Sequence, residues 1–336
     1  MNKKLFVSKF FLALAALATG VSFTAVTAQT RKPVAPPPAL TAYLPPSDAV
    51  GIVDLRRMLT ETMPAILGSD AAKLAQANAE VDKFKTRTGV DLRSIDSLAI
   101  GIHYTYPGPK STKLDVVAIG HGTFNPAAVV ASVHAAANGK SHEEKYHGAT
   151  ITIIDMNDDL KILGLWTTRI KDLAICVLDQ NSLALGSLTN VRAAIDAGKG
   201  GRAPADLIGL ATRYPDSVMG FAANLTPELL ARLDLGNDTI AKDVSAIKQA
   251  YGAVGSTQTD VTLTLVARTN SPEAAKNLKD TVEGLQQLGA IFITRMAEPR
   301  KSLAEGALNN LKTTTRGDDL EIRTQVTAAS LAALVK

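Results

Sequence analysis

All five histidines of the chain, His103, His121, His134, His142 and His147, fall in one stretch of the sequence. Histidine titrates near neutral pH and ligates metals, so such a group invites acid–base or metal chemistry. The tightest spacing is His142, Glu143, Glu144 and His147. A zinc-protease helix needs two His four positions apart, with Glu next to the first, so that both rings reach one ion. Here the rings are five apart, and the segment runs into a strand, where positions five apart face opposite ways. His121, between Gly120 and Gly122 at a strand end, is the third ring that a fold could bring near His142 or His147. A metal-dependent hydrolase using the His121, His142 and His147 region is therefore one function class to test. His134, beside Val130 and Val133 on a helix, reads as a packed partner.

Other chemistries lack their residues. Cys176 is the only cysteine, so no internal disulfide forms, and its neighbours Ile175 and Val177 mark a core position. No Gly-x-Ser-x-Gly elbow occurs. Asp155, Asp158 and Asp159 surround Asn157 without the Gly and distal Glu of a calcium loop, which leaves a solvated hairpin turn. Gly198, Lys199, Gly200 and Gly201 have no Ser or Thr after the Lys and fit no P-loop. The sequence thus assigns no catalytic, cofactor-binding or metal residue, and no cofactor is expected.

The elements that would position these groups are legible from periodicity. Tyr146 to Asp155 alternates as a strand, Leu160 to Trp166 and Leu173 to Leu178 are short apolar runs, and Leu183 to Leu185 return after a turn. Ser187 caps a helix that Gly198 ends, with Val191, Ala194 and Ile195 on one face. Upstream, Asp48 to Leu55 is a strand, Arg56 to Leu67 a helix kinked at Pro64, and Asp70 to Thr86 a second helix broken at Gly89. Ile95 to Tyr104 and Leu114 to Gly120 are strands, and Asn125 caps a helix with Pro126 at its first turn and Val130, Val133 and Ala137 inward.

The second half follows the same outline. Tyr214, Pro215, Asp216, Val218 and Gly220 echo Tyr43, Pro45, Asp48, Val50 and Gly51. Val218 to Ala223 is a strand, Thr226 caps a helix, and Thr239 to Tyr251 reads as a longer one. Asp260 to Thr269 is a strand, and Ser271 caps a helix with the stripe Ala275, Leu278, Val282, Leu285, Gly289 and Phe292. Leu320 to Val326 is a half-solvated last strand. These readings predict an α+β fold of two weakly similar lobes, residues 43–205 and 206–336. Each is a mainly antiparallel sheet with helices packed on one face, related by a weak internal duplication.

Residues 1–28 read as a secretory signal peptide. Lys3, Lys4 and Lys9 give the positive region, Phe10 to Phe23 the apolar one, and Val26, Thr27 and Ala28 the cleavage site. Residues 29–42, with Pro33, Pro36, Pro37 and Pro38, are expected to be a stiff linker. Removing the three leader lysines from 36 Lys and Arg leaves 33 against 32 Asp and Glu, a net of +1. That balance, with only 4% aromatic residues, argues against nucleic acid as a partner. With the apolar leader removed, the mature chain is not expected to span a membrane.

Three phrases carry a resemblance: the Pro-rich entry into an apolar strand at Tyr43 to Leu55, the aromatic before a strand-opening Gly at Lys145 to Gly148, and the strand–turn–helix of Leu178 to Gly198. They resemble a loose family of exported bacterial proteins of unknown function, which implies a secreted, two-lobed α+β protein and brings no activity. The expected function is non-enzymatic binding or interaction, with a protein or small-molecule partner, in the periplasm or outside the cell. Besides the hydrolase, a structural component of an envelope complex is the other alternative. The exported protein should begin at Gln29. N-terminal sequencing checks this, and an intact mass that includes residues 1–28 would contradict it.

Overall fold

The computed structural model describes residues 38–108, 111–162, 166–232 and 237–334. The leader and most of the Pro-rich segment lie outside the described residues, as do the side chains of Asp158 and Asp159. The chain begins with α1 (Pro38–Ala42), β1 (Ala49–Asp54), α2 (Leu55–Arg57), a π turn and α3 (Met63–Leu67). It continues through α4 (Ala71–Thr88), β2 (Ile95–Gly108), β3 (Ser111–Gly122), α5 (Pro126–Ala137), β4 (Ser141–Tyr146), β5 (Ala149–Ile162) and β6 (Trp166–Val177). Then come β7 (Ser182–Gly186), α6 (Leu188–Ala197), α7 (Ala205–Ala211), β8 (Met219–Asn224), α8 (Pro227–Leu230) and α9 (Asp238–Ser245). The rest is β9 (Ile247–Ser256), β10 (Asp260–Thr269), α10 (Pro272–Ile293), α11 (Arg300–Asn309), β11 (Lys312–Arg316), β12 (Asp319–Thr327) and α12 (Ala328–Ala332).

The fold is α+β. Its described strands form one 12-stranded sheet in the order β11-β12-β10-β9-β8-β1-β2-β3-β7-β6-β5-β4, and neighbours pair antiparallel. Each half runs three strands outward from the middle and then a Pro-started helix: β1-β2-β3 then α5, and β8-β9-β10 then α10. The two halves meet where β1 pairs β8, with Val50 opposite Ala222 and Ile52 opposite Gly220.

One row of register partners shows how the core sits. Ala174, Gly186, Val117, Gly101, Val50, Ala222, Tyr251 and Val266 are successive partners across β6, β7, β3, β2, β1, β8, β9 and β10. Six of these eight belong to one apolar cluster, which α1, α6 and α7 cover through Leu40, Val191 and Leu207. Two glycines let the loop after α1 and the end of α7 come close. A Cβ at Gly101 would meet Leu44 and Ser47, and one at Gly220 would lie 1.8 Å from the Ala211 carbonyl oxygen. The opposite face of the first half is covered too, by Val129, Val133 and Ala137 of α5 over Ile154, Leu173 and Leu185. The second half packs Leu278 of α10 on Leu320 and Leu303 of α11 on Val261 and Val326. Helix starts are fixed as the sequence implies: Asp70, Asn125, Ser187, Thr226 and Ser271 each accept a backbone N–H from the first turn.

Five expectations change. Asp155, Asp158 and Asp159 are not a hairpin turn but lie within β5, paired to β6 across a register shift between Asp155 and Asp158. Thr239 to Tyr251 is not one helix: α9 stops at Ser245 and Ile247–Ser256 is β9. That segment has a strand on each side, and two satisfied hydrogen-bonding edges outweigh its modest helical preference. The last residues of the expected linker belong to the fold, because Pro38–Ala42 is helical and Leu40 is fully buried. In the helix after Asn125, Val129 is buried in place of Val130. The α10 stripe is shorter than its periodicity suggests: Ala275 and Leu278 are buried, Leu285 is half-buried, and Phe292 is 64% exposed. Leu278→Ala should therefore cost about 2–5 kcal/mol, and Phe292→Ala less than about 0.5 kcal/mol. Urea unfolding at low protein concentration measures both, and equal losses would contradict this packing.

Candidate functional site

At the outer edge of the first half, β4 and β5 are joined by the two-residue turn His147–Gly148, since Tyr146 pairs with Ala149. Both turn residues have positive φ, 49° at His147 and 88° at Gly148, the twist a tight hairpin demands. Histidine tolerates this region better than most side chains, at a cost of about 1 kcal/mol. What holds it there is Asp196, near the end of α6. Its two oxygens accept from His147 Nδ1 at 2.9 Å and from the Tyr146 hydroxyl at 2.9 Å. The two rings stack with centroids 4.3 Å apart. One helical turn earlier, Arg192 grips Glu144 of β4 through two hydrogen bonds and lies 5.6 Å from the centre of the Tyr146 ring. Arg192 and Asp196 are four apart, so one face of α6 clamps the edge strand twice. The hydrogen bond to Asp196 raises the Tyr146 pKa, and the Arg192 guanidinium lowers that of Glu144.

This clamp borders a groove of about 540 Å³. Val129, Val130 and Val133 of α5 and Ile175 and Val177 of β6 form its apolar wall, and Tyr43, His147 and Lys199 its polar rim. The arrangement suits a small molecule with an apolar body and an acidic group. The apolar wall takes the body, while Lys199 supplies a positive charge and His147 a ring already oriented by a carboxylate.

The histidines singled out by spacing are placed apart in role. His121 Nδ1 lies 3.2 Å from the Ser182 hydroxyl, and Ser182 is fully buried, so that serine is closed to any substrate. His142 is exposed on β4. His147 pairs with Asp196, which supplies half of a base-activating arrangement. Among the described residues no hydroxyl or thiol completes it, and no three His, Cys, Asp or Glu side chains are grouped to hold a metal. The His134 side chain is 39% exposed and, instead of packing, pairs with Glu143 at 3.0 Å and lies 3.3 Å from the Ser141 hydroxyl, and His103 pairs with Asp48 at 2.7 Å. Cys176 is buried, and burial pushes its thiol pKa up to about 11, which leaves it protonated and unreactive at neutral pH.

A second polar group went unmarked in the sequence. Tyr251, 1% exposed, donates to Asp319 at 2.8 Å, and Arg268 donates to the same carboxylate at 2.9 Å. The Arg213 and Arg268 guanidiniums lie 5.5 and 5.3 Å from its ring centre. Burial, then the Asp319 hydrogen bond, push the Tyr251 pKa up to about 12, while Arg268 and Tyr251 hold Asp319 low. Arg268 and Asp319 are register partners on β10 and β12. Alternation marks them as polar but cannot show who faces whom.

No family model and no curated protein matches the chain. Among solved structures, the chain is similar to three crystal forms of TP0453. Form III has 12% identity and a TM-score of 0.45, covering 88% of this chain and 96% of that one. Form I has 12% identity and a TM-score of 0.44, covering 90% and 96%. Form IV has 11% identity and a TM-score of 0.47, covering 88% and 95%.

Proposed function

We propose that the chain is an exported, non-enzymatic binding protein that takes a small amphipathic molecule in the groove between α5 and the β4–β5 turn. The observation that carries this reading is the pairing of an apolar valine and isoleucine wall with a cationic and histidine-bearing rim. Export rests on the Lys3, Lys4, Lys9 leader pattern and its Val26 to Ala28 site. No helix among the described residues is long and apolar enough to cross a membrane. The nearly balanced charge of the chain beyond its leader gives nucleic acid little to grip. The repeated plan of three strands and a Pro-started helix supports descent from a duplicated unit, and the chain is of the loose exported two-lobed kind that its sequence resembles.

The dye 8-anilinonaphthalene-1-sulfonate, an apolar ring system with one anionic group, is a direct probe. Saturable binding is expected to the folded protein. Val130→Trp, which fills the groove from a half-buried position, should weaken it more than about tenfold. Lys199→Glu should weaken it about fivefold. Near-UV circular dichroism must stay unchanged, since the dye also binds loosened states. Equal binding by the wild type and Val130→Trp would overturn the assignment of the groove.

A further inference from the structure

The far half of α10 carries an uncovered apolar face. Leu288, Ile291 and Phe292 are 53%, 59% and 64% exposed. The other sides of this helix are occupied. Leu278 faces the sheet core, Thr281 donates to Asp243 of α9, and Gln286 donates to the Leu308 carbonyl of α11. Gly289 lies against Leu308, where a Cβ would come within 3.3 Å. Among the exposed positions, which also include Lys276, Asn277, Ala290 and Phe292, runs the row Asp280, Gly284, Gln287, Leu288, Ile291 and, in the turn that ends the helix, Arg295. Their spacings of three and four keep them on one side.

That row is complementary to itself when reversed. A two-fold axis between Gln287 and Leu288 sets Asp280 against Arg295 of a second copy and Gly284 against its Ile291. A Cβ at Gly284 would have nothing within 4 Å, so the glycine is an open notch, and the apolar side chain that reversal brings to it is exposed. Asp280 and Arg295 are both exposed, and the symmetry makes their attraction twice over. Antiparallel packing also opposes the two helix dipoles. An isologous contact needs one patch that satisfies itself in this way.

We propose that this face of α10 is a homodimer interface, with two copies packed antiparallel about the Gln287–Leu288 point. The contact is one helix per copy, smaller than the roughly 1,600 Å² of a standard interface, so the dimer is a weak, reversible one. The charges fix orientation and the notch fixes closeness.

Sedimentation equilibrium of the exported protein tests this, over about 1 to 500 µM. A concentration-dependent monomer–dimer equilibrium is expected. Asp280→Arg alone or Arg295→Asp alone should weaken it about tenfold or more, and the double exchange should return it to within about threefold of the wild type. Gly284→Leu should abolish association while raising the thermal midpoint, because leucine is the better helix former. A chain that stays monomeric throughout overturns the proposal. So does a dimer indifferent to all three changes, which would use another surface. A chain monomeric in solution whose α10 variants lose co-sedimentation with anionic phospholipid vesicles would give the face a different occupant and also overturn it. Each altered side chain is exposed, so unfolding does not mask the result.

Discussion

β1 is hydrogen-bonded along both edges, to β2 on one side and to β8 on the other. The ladder continues past the strands, with the Asp54 N–H donating to Val218 and the Asn224 N–H donating to Asp48. Separating the halves would leave two bare strand edges, and buried backbone groups without partners are costly. It would also lift α7 from the seam, where Leu207 and Ala211 are 0% and 2% exposed. Gly220 makes that cover possible, since any Cβ there would strike the Ala211 carbonyl. The small residues near the seam are the condition for one sheet with an apolar cluster shared by both halves.

From this centre, the sheet's chemistry is pushed outward. Mid-sheet positions in the cross-strand row are Gly, Ala and Val, which leave no polar group to satisfy. At one end, Asp196 and Arg192 clamp β4, and the groove opens beside them. Towards the other, Tyr251 is held between two guanidiniums over Asp319. The two groups differ in use. Tyr251 and Asp319 satisfy each other in a largely buried place and fix strand pairing. His147 and Lys199 lie on an exposed rim beside apolar wall, where a ligand can reach them. For that reason the first-half edge is the better site, although both groups contain aromatic and charged side chains.

Much of the fold was legible locally. The capped helices starting after Asn125, Ser187, Thr226 and Ser271 stand where the cap and the Pro or apolar period put them. The alternating strands Asp260–Thr269 and Asp319–Thr327 are also in place. Features set by distant partners were not. Ile247–Ser256 reads as helix in isolation and becomes a strand because β8 and β10 flank it. Phe292 continues a period that the end of the helix does not keep, because there the next residue, Ile293, is the buried one. The site was half legible. His147 stands out by type, but its clustering with His142 raised a metal that their five-residue spacing does not fit, whereas its partner Asp196 is 49 positions away. Val129 and Val177 reveal only core-like character in sequence; that they line a groove depends on where the sheet ends.

The shared β1–β8 ladder should make the two halves one cooperative unit. Native-state hydrogen exchange measures it residue by residue. The seam amides of β1 and β8 should open only with global unfolding, within about 1 kcal/mol of Ile119 in β3 and Ala184 in β7. If β8 amides instead exchange through an opening several kcal/mol cheaper while β3 and β7 stay protected, the halves are separable domains and the account fails.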